Sequence, residues 1–231
     1  MLFLCYNLYG DKMRLYEYED ELINNGIKYI GGTDEAGRGP LIGPVVAACV
    51  VLPLNYQNDL INDSKKLTEK KREQLYDVIM KDALAVGIGM VDAKTIDEIN
   101  IYEASKLAMI KAYKEANKKI KIEHLLTDAM TLDIDIPFTK IIKGDAKSIT
   151  IAAASIIAKV TRDRMLLELD EKYPMYGFKN HKGYPTKAHI EAMHKYGLID
   201  GYRKTYGPVK EMLKWEIYLF LMLLILMEYL Q

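Results

Sequence analysis

Lys28–Leu52 reads KYIGGTDEAGRGPLIGPVVAACVVL, and the fold is decided by how this stretch changes character along its length. KYIGGT (28–33) has strand composition and stops at an acidic residue, Asp34. GPVVAACVVL (43–52) is apolar and β-branched without alternation, the pattern of a strand buried on both faces. Between them lie two glycines and a proline, in Gly37, Gly39 and Pro40, which let the chain leave the sheet. This segment therefore reads as a strand ending at Asp34, a glycine-rich departure and a buried strand.

Outward from there the pattern repeats. Residues 13–27 have the spacing of a short amphipathic helix. After a polar loop, Thr68 is placed to cap a helix running to about Lys81. Residues 84–91 read as a third strand. Residues 94–119 hold helical spacing, as two helices broken near Asn100. Residues 122–127 form a fourth strand ending at Asp128, and 138–143 a fifth. A long helix spans about Ser148 to Lys172 and stops before Pro174; another follows Pro185 and ends at Gly197. The last starts at Pro208. Three early strands followed by alternating helices and strands predict an α/β fold. Its sheet is mixed, antiparallel among the early strands and parallel among the later ones, with helices on its faces.

The chain has 231 residues, half of them hydrophobic, enough for one sizeable core. Its net charge is zero, which at first sight argues against nucleic acid. The distribution is uneven: residues 140–214 hold 15 Lys and Arg against 8 Asp and Glu, and the remainder is acidic. That asymmetry suits a basic stripe beside an acidic pocket, although solvated helix faces produce the same counts. Cys5 and Cys49 make neither a disulfide framework nor a zinc site, so a reducing, cytoplasmic setting is expected. The first residues lack the basic leader of a secretory signal. Ile217–Met227 is an apolar run of eleven, well short of the roughly 20 residues that span a bilayer. No membrane partner is expected, and a C-terminal helix packed on the core is.

Asp34 and Asp128 both follow predicted strands. Active sites of mixed α/β sheets collect at such strand ends, and if the first and fourth strands are neighbours these carboxylates come together. Glu35 follows directly, but successive strand residues face opposite ways, so it joins only if the backbone turns. Ser155, Lys159 and Asp163 share one face of the long helix at i, i+4 and i+8, after a run of small residues that lets the helix approach a sheet. Clustered carboxylates need cations; hard oxygen ligands select Mg²⁺ or Mn²⁺. Two such ions about 4 Å apart stabilise both the attacking and the leaving oxygen of a phosphodiester. Taken singly, each residue has a plainer reading: turn former for Asp34, exposed ion pair for Asp163.

DEAGRGP (34–40), DSKKL (63–67), LLTDA (125–129), GDAKSITIAAASIIAKVTRDR (144–164) and GYPT (183–186) occur in this order. Together they resemble the ribonuclease HII family, in an archaeal-like form, over about residues 28 to 207. The resemblance implies a ribonuclease H-like fold with a five-stranded sheet. It also implies endonucleolytic hydrolysis of RNA in RNA–DNA hybrids and at ribonucleotides embedded in DNA. Carried over by position, Asp34, Glu35, Asp128 and Asp163 are the implied catalytic, metal-binding acids. Gly37, Arg38 and Gly39 resemble the element whose backbone reads the ribose 2′-hydroxyl, the group that separates RNA from DNA; alone, they make a tight turn. Tyr184 resembles a tyrosine that stacks by the cleavage point. Ser64, Lys65, Lys147, Ser148 and Lys159 are candidate substrate contacts, Ser148 equally being the N-cap of the long helix. His181, His189 and His194 read as surface residues and His124 as core. The expected organisation is an N-terminal extension (1–27), a catalytic core (28–174) and a helical region with the apolar tail (175–231), acting as a monomer. The open alternatives are a DNA-directed nuclease with the same acids and a non-catalytic adaptor working through the tail.

Overall fold

The computed structural model describes residues 15–61, 67–215 and 222. The strands are β1 (Ile30–Ala36), β2 (Val45–Val51), β3 (Ala85–Val91), β4 (His124–Asp128) and β5 (Phe138–Ile141). They form one sheet in the order β3-β2-β1-β4-β5. β1 runs antiparallel to β2, and β2 to β3; β1 and β4, and β4 and β5, are parallel. The expected division into an antiparallel and a parallel half is what the chain adopts.

The continuous apolar run of β2 has a simple cause. Val45, Ala47, Cys49 and Val51 pack toward α3 (Ala93–Asn117), whereas Ala48 and Val50 pack toward α4 (Ile149–Lys172). Both faces of the central strand are therefore covered, and alternation is lost. Backbone approaches backbone at the glycines. A Cβ on Gly32 would lie 2.2 Å from the Thr150 carbonyl carbon and 2.4 Å from the Ile151 nitrogen, so α4 sits directly on β1. On the opposite face, Cβ atoms at Gly87 and Gly89 would each come within 2.1 Å of an α3 carbonyl oxygen.

The helix ends follow the sequence signals. Thr68 caps α2 (Glu69–Asp82) by accepting from Lys71 N at 3.3 Å. Asn100 has φ 67° inside α3 and breaks it where expected. Thr186 caps α6 (Lys187–Tyr196), which ends at Gly197. The structure adds a one-turn 3₁₀ helix, Gly144–Ala146, between β5 and α4, and the short α5 (Phe178–His181). Residues 207–215 are helical. The expected apolar tail, apart from Met222, and residues 1–14 lie outside the described residues, as do Ser64 and Lys65. Among the described residues no helix is long and apolar enough to cross a membrane.

The N-terminal helix α1 (Glu17–Asn24) packs Tyr18, Leu22 and Ile23 on the cluster of Ile30, Leu126, Ile141 and Ile151, and a buried carboxylate ties it to the start of α4. Glu19, 6% exposed, places Oε1 over the start of α4. There it accepts from Ser148 Oγ at 2.6 Å, Thr150 Oγ1 at 2.7 Å and Thr150 N at 3.1 Å. A carboxylate thus already fills the electropositive end of that helix. Burial nonetheless pushes the Glu19 carboxyl above its ordinary pKa.

Candidate active site

The parallel register of β1 and β4 ends with Thr33 opposite Thr127. The next residue on each strand is an aspartate, so Asp34 and Asp128 leave adjacent strands, spaced about 4.8 Å apart, at the same height. β1 continues two residues further, still paired to β2. No turn occurs at Glu35, contrary to the condition expected for it to join the site. Beyond Asp128, Ala129 adopts φ 52° and β4 departs, so the last residues of β1 border open space. Glu35 reaches that space from the strand itself.

The space is a cavity of about 290 Å³ lined by Asp34, Glu35, Ala36, Gly37, Arg38, Gly39, Arg72, Asp128, Ser155, Lys159 and Tyr184. Asp34 is 5% exposed. Burial pushes its carboxyl well above the ordinary carboxylate range, and the charges of Glu35 and Asp128 push it further; the Ser155 hydroxyl and the Glu35 N–H, at 2.7 Å, pull the other way. Burial likewise raises Glu35, opposed by Arg38, whose Nη1 lies 3.3 Å from Glu35 Oε1. Glu35 Oε2 is buried and has no hydrogen-bond partner among the described residues. The donor set is all hard oxygen, it repels itself, and one oxygen is unsatisfied: these are the properties of a divalent-cation site. Among the described residues no three acidic or cysteine/histidine side chains close into a cage. Mg²⁺ does not require one, because it keeps waters and binds through one or two carboxylates plus substrate phosphate.

Five sequence expectations need correction or relocation. Asp163 does not line the cavity; it is ion-paired to Lys159 at 2.7 Å. Sharing a face with Ser155 at i+8 puts it about 12 Å further along α4, past the cavity. Ser148 is fully buried and caps α4, accepting from Ile151 N at 3.2 Å, and Glu19 occupies the position a phosphate would take. Lys147, at the end of the 3₁₀ turn, also lies outside the cavity lining. His189 is fully buried; its ring nitrogens meet Tyr184 O at 2.9 Å and Tyr202 Oη at 2.8 Å. Burial lowers its pKa to about 4, so it is neutral at pH 7. His124 bonds Thr139 Oγ1 at 2.9 Å and is only partly buried.

Other residues were not marked by the sequence. Arg72 reaches the cavity from α2, on the far side of a loop whose path the sequence does not reveal. Asp145, 4% exposed, is not among the cavity's lining residues either, but it sits on the 3₁₀ turn next to Gly144, whose N–H donates to the cavity-lining Asp128 Oδ1 at 2.7 Å. The signal for Asp145 was present in GDAKS, immediately before the long helix. Of the ribose-reading set, Gly37 has φ 95°, and a Cβ there would lie 2.1 Å from Arg162 Nε. A Cβ on Gly39 would stand 3.1 Å from Tyr184 Cε1, so the tyrosine ring, 44% exposed, lies against the glycine backbone.

A sheet ordered 3-2-1-4-5, antiparallel on one side, parallel on the other and carrying carboxylates where the halves meet, is a ribonuclease H-like architecture. Comparison with known proteins narrows the class. Residues 31–206 match the ribonuclease HII family. The ribonuclease HII of Bacillus cytotoxicus is 55% identical over 202 residues, covering 87% of this chain and 77% of its own. The structure of ribonuclease H2 from Pyrococcus horikoshii superimposes with a TM-score of 0.68 at 30% identity, over 80% of this chain and 96% of the other. Ribonuclease HII of Archaeoglobus fulgidus, solved in complex with PCNA, gives 0.63 at 28% identity, over 78% and 95%. The chain belongs to the ribonuclease HII family.

Proposed function

We propose that this chain hydrolyses the RNA strand of RNA–DNA hybrids, and ribonucleotides embedded in DNA, at the cavity between β1 and β4. One observation carries the reading: carboxylates from neighbouring strand ends share that cavity with the backbone of Gly37–Gly39 and the ring of Tyr184. The chemistry and the sugar check therefore act on the same phosphodiester.

Asp34, Glu35 and Asp128 hold the divalent cations, Mg²⁺ or Mn²⁺. Asp145, tied to Asp128 through Gly144, takes the fourth acidic place that sequence reasoning gave to Asp163. When bound, two such cations neutralise charge on the attacking and leaving oxygens, leaving 3′-hydroxyl and 5′-phosphate ends. The protein's own groups do the rest. Ser155 fixes the Asp34 carboxylate. Arg72 and Lys159 present positive charge to the phosphates, with Ser64 and Lys65 as further contacts ahead of α2. Gly37, Arg38 and Gly39 bring peptide groups to a sugar that a Cβ would obstruct, and Tyr184 stacks beside it. Residues 28–174 form the catalytic core, 1–27 an extension and 175–231 a helical region; the enzyme works as a cytoplasmic monomer.

The test is cleavage mapping on a DNA duplex carrying one ribonucleotide, beside an all-DNA duplex and a long hybrid, with and without Mg²⁺ or Mn²⁺. Cuts confined to the ribonucleotide-containing substrates and dependent on the metal are expected. Equal cutting of all-DNA duplex would replace this reading with a DNA-directed nuclease.

A further inference from the structure

The glycine-rich loop after β1 is not held by its own sequence. Arg203 is fully buried, and it spends its donors on loop carbonyls. Its Nη2 donates to Gly37 O at 2.6 Å and Gly43 O at 2.9 Å, its Nε to Gly43 O at 3.0 Å, and its Nη1 to Arg38 O at 2.9 Å and Tyr206 Oη at 2.9 Å. These five bonds use the full complement of guanidinium N–H groups. Tyr206 Oη in turn donates to Arg38 O at 2.6 Å. The segment carrying both residues is fastened to α3, where Asp97 accepts from Lys204 N, Thr205 N and Thr205 Oγ1 at 2.6–2.9 Å.

The consequence follows from peptide geometry. In a trans peptide the carbonyl and the following N–H point in opposite directions, and among the described residues there is no cis bond. Holding the Gly37 and Arg38 carbonyls against Arg203 turns the N–H groups of Arg38 and Gly39 away from it. Gly37, Arg38 and Gly39 line the cavity and Arg203 does not. The two N–H groups thus face the cavity as an adjacent pair of donors.

We infer that Arg203, assisted by Tyr206, is a positioning residue for ribose recognition, aiming the Arg38 and Gly39 amides at the sugar of the scissile nucleotide. The inference rests on the reading that this backbone checks the 2′-hydroxyl. It makes residues 201–206, in the C-terminal helical region, part of the specificity apparatus of the catalytic core.

Binding separates this role from general support. In an Asp34→Asn background, which removes cleavage, Kd is measured for a DNA duplex with one ribonucleotide and for the same duplex in all-DNA form. The background protein is expected to prefer the ribonucleotide duplex. Adding Tyr206→Phe or Arg203→Lys is expected to cut that preference about fivefold or more while all-DNA affinity, set by phosphate contacts, stays within about twofold. Tyr206→Phe keeps the ring in place, and so answers the question even if Arg203→Lys fails to fold. Full preference retained in Tyr206→Phe overturns the inference, as does equal weakening toward both duplexes. No preference in the background protein itself defeats the ribose reading, and the positioning role falls with it.

Discussion

Asp34 is the residue on which the site turns. Folding buries it between two other carboxylates, which makes the ionised form costly. Because the folded state holds its proton more tightly than the unfolded chain, stability is greatest below the unfolded carboxyl pKa of about 4. It is lost as pH rises toward the raised folded value. Asp34→Asn is therefore expected to raise the Tm of metal-free protein at pH 7.5 by several degrees and much less at pH 4. Cleavage should drop by about 10³-fold or more, from loss of a cation ligand. Thermal unfolding at the two pH values, with a cleavage assay, checks both; a lower Tm at pH 7.5 would contradict the electrostatic account. Asp34 and Asp128 were legible because strand ends are visible in hydrophobic pattern. Asp163 falls outside the cavity lining because a shared helix face says nothing about height along the axis. Ser148 takes the N-cap reading offered beside the phosphate one; His189, read as a surface residue, is fully buried against Tyr202, a contact that helical spacing does not show.

At the scale of elements, the site depends on α4 lying against β1. The run Ala152–Ala153–Ala154–Ser155, all buried, announced that a helix could come this close. Gly32 shows what it approaches. Gly32→Ala forces a Cβ into helix backbone, which cannot yield as a side chain can; a loss of about 3 kcal/mol is expected, at the upper end for overpacking. That corresponds to roughly 6–12 °C in Tm. Thermal unfolding within about 2 °C of wild type would mean that α4 stands off the strand. The α3 break at Asn100 and the cap at Thr68 were readable, since each rests on local chemistry; the sheet order was not, because the pairing of β1 with β4 joins residues about a hundred positions apart. The 3₁₀ turn bearing Asp145 was not, because three residues leave no period to detect, and its position is set by the bond from Gly144 to Asp128.

Across the whole molecule, a net charge of zero conceals a basic excess over residues 140–214. Lys159 from that span faces the cavity together with Arg72 and Arg38. On the proposed reading these cationic side chains would meet phosphates while the acids would meet metal, a route by which a neutral protein can engage a polyanion. Hybrid binding should therefore weaken with salt, log Kd rising linearly with log salt concentration with a slope of about 3 or more if at least about four phosphates are neutralised. Fluorescence anisotropy between 50 and 300 mM salt, concentrations of about the range over which counterion release is read, makes the check. A flat line would remove the basic surface from the account. Charge placement was only half legible in sequence: Arg162 and Arg203, counted as surface charge, are fully buried and serve the loop instead.

The central claim is that carboxylates from β1 and β4 jointly bind divalent cation, and Mn²⁺ titration followed by electron paramagnetic resonance tests it without reference to cleavage. Wild type and Asp163→Asn are expected to take up Mn²⁺ alike, whereas Asp34→Asn and Asp128→Asn lose about tenfold or more in affinity and Asp145→Asn is weakened. Uptake by Asp34→Asn and Asp128→Asn equal to wild type, or loss confined to Asp163→Asn, would contradict it.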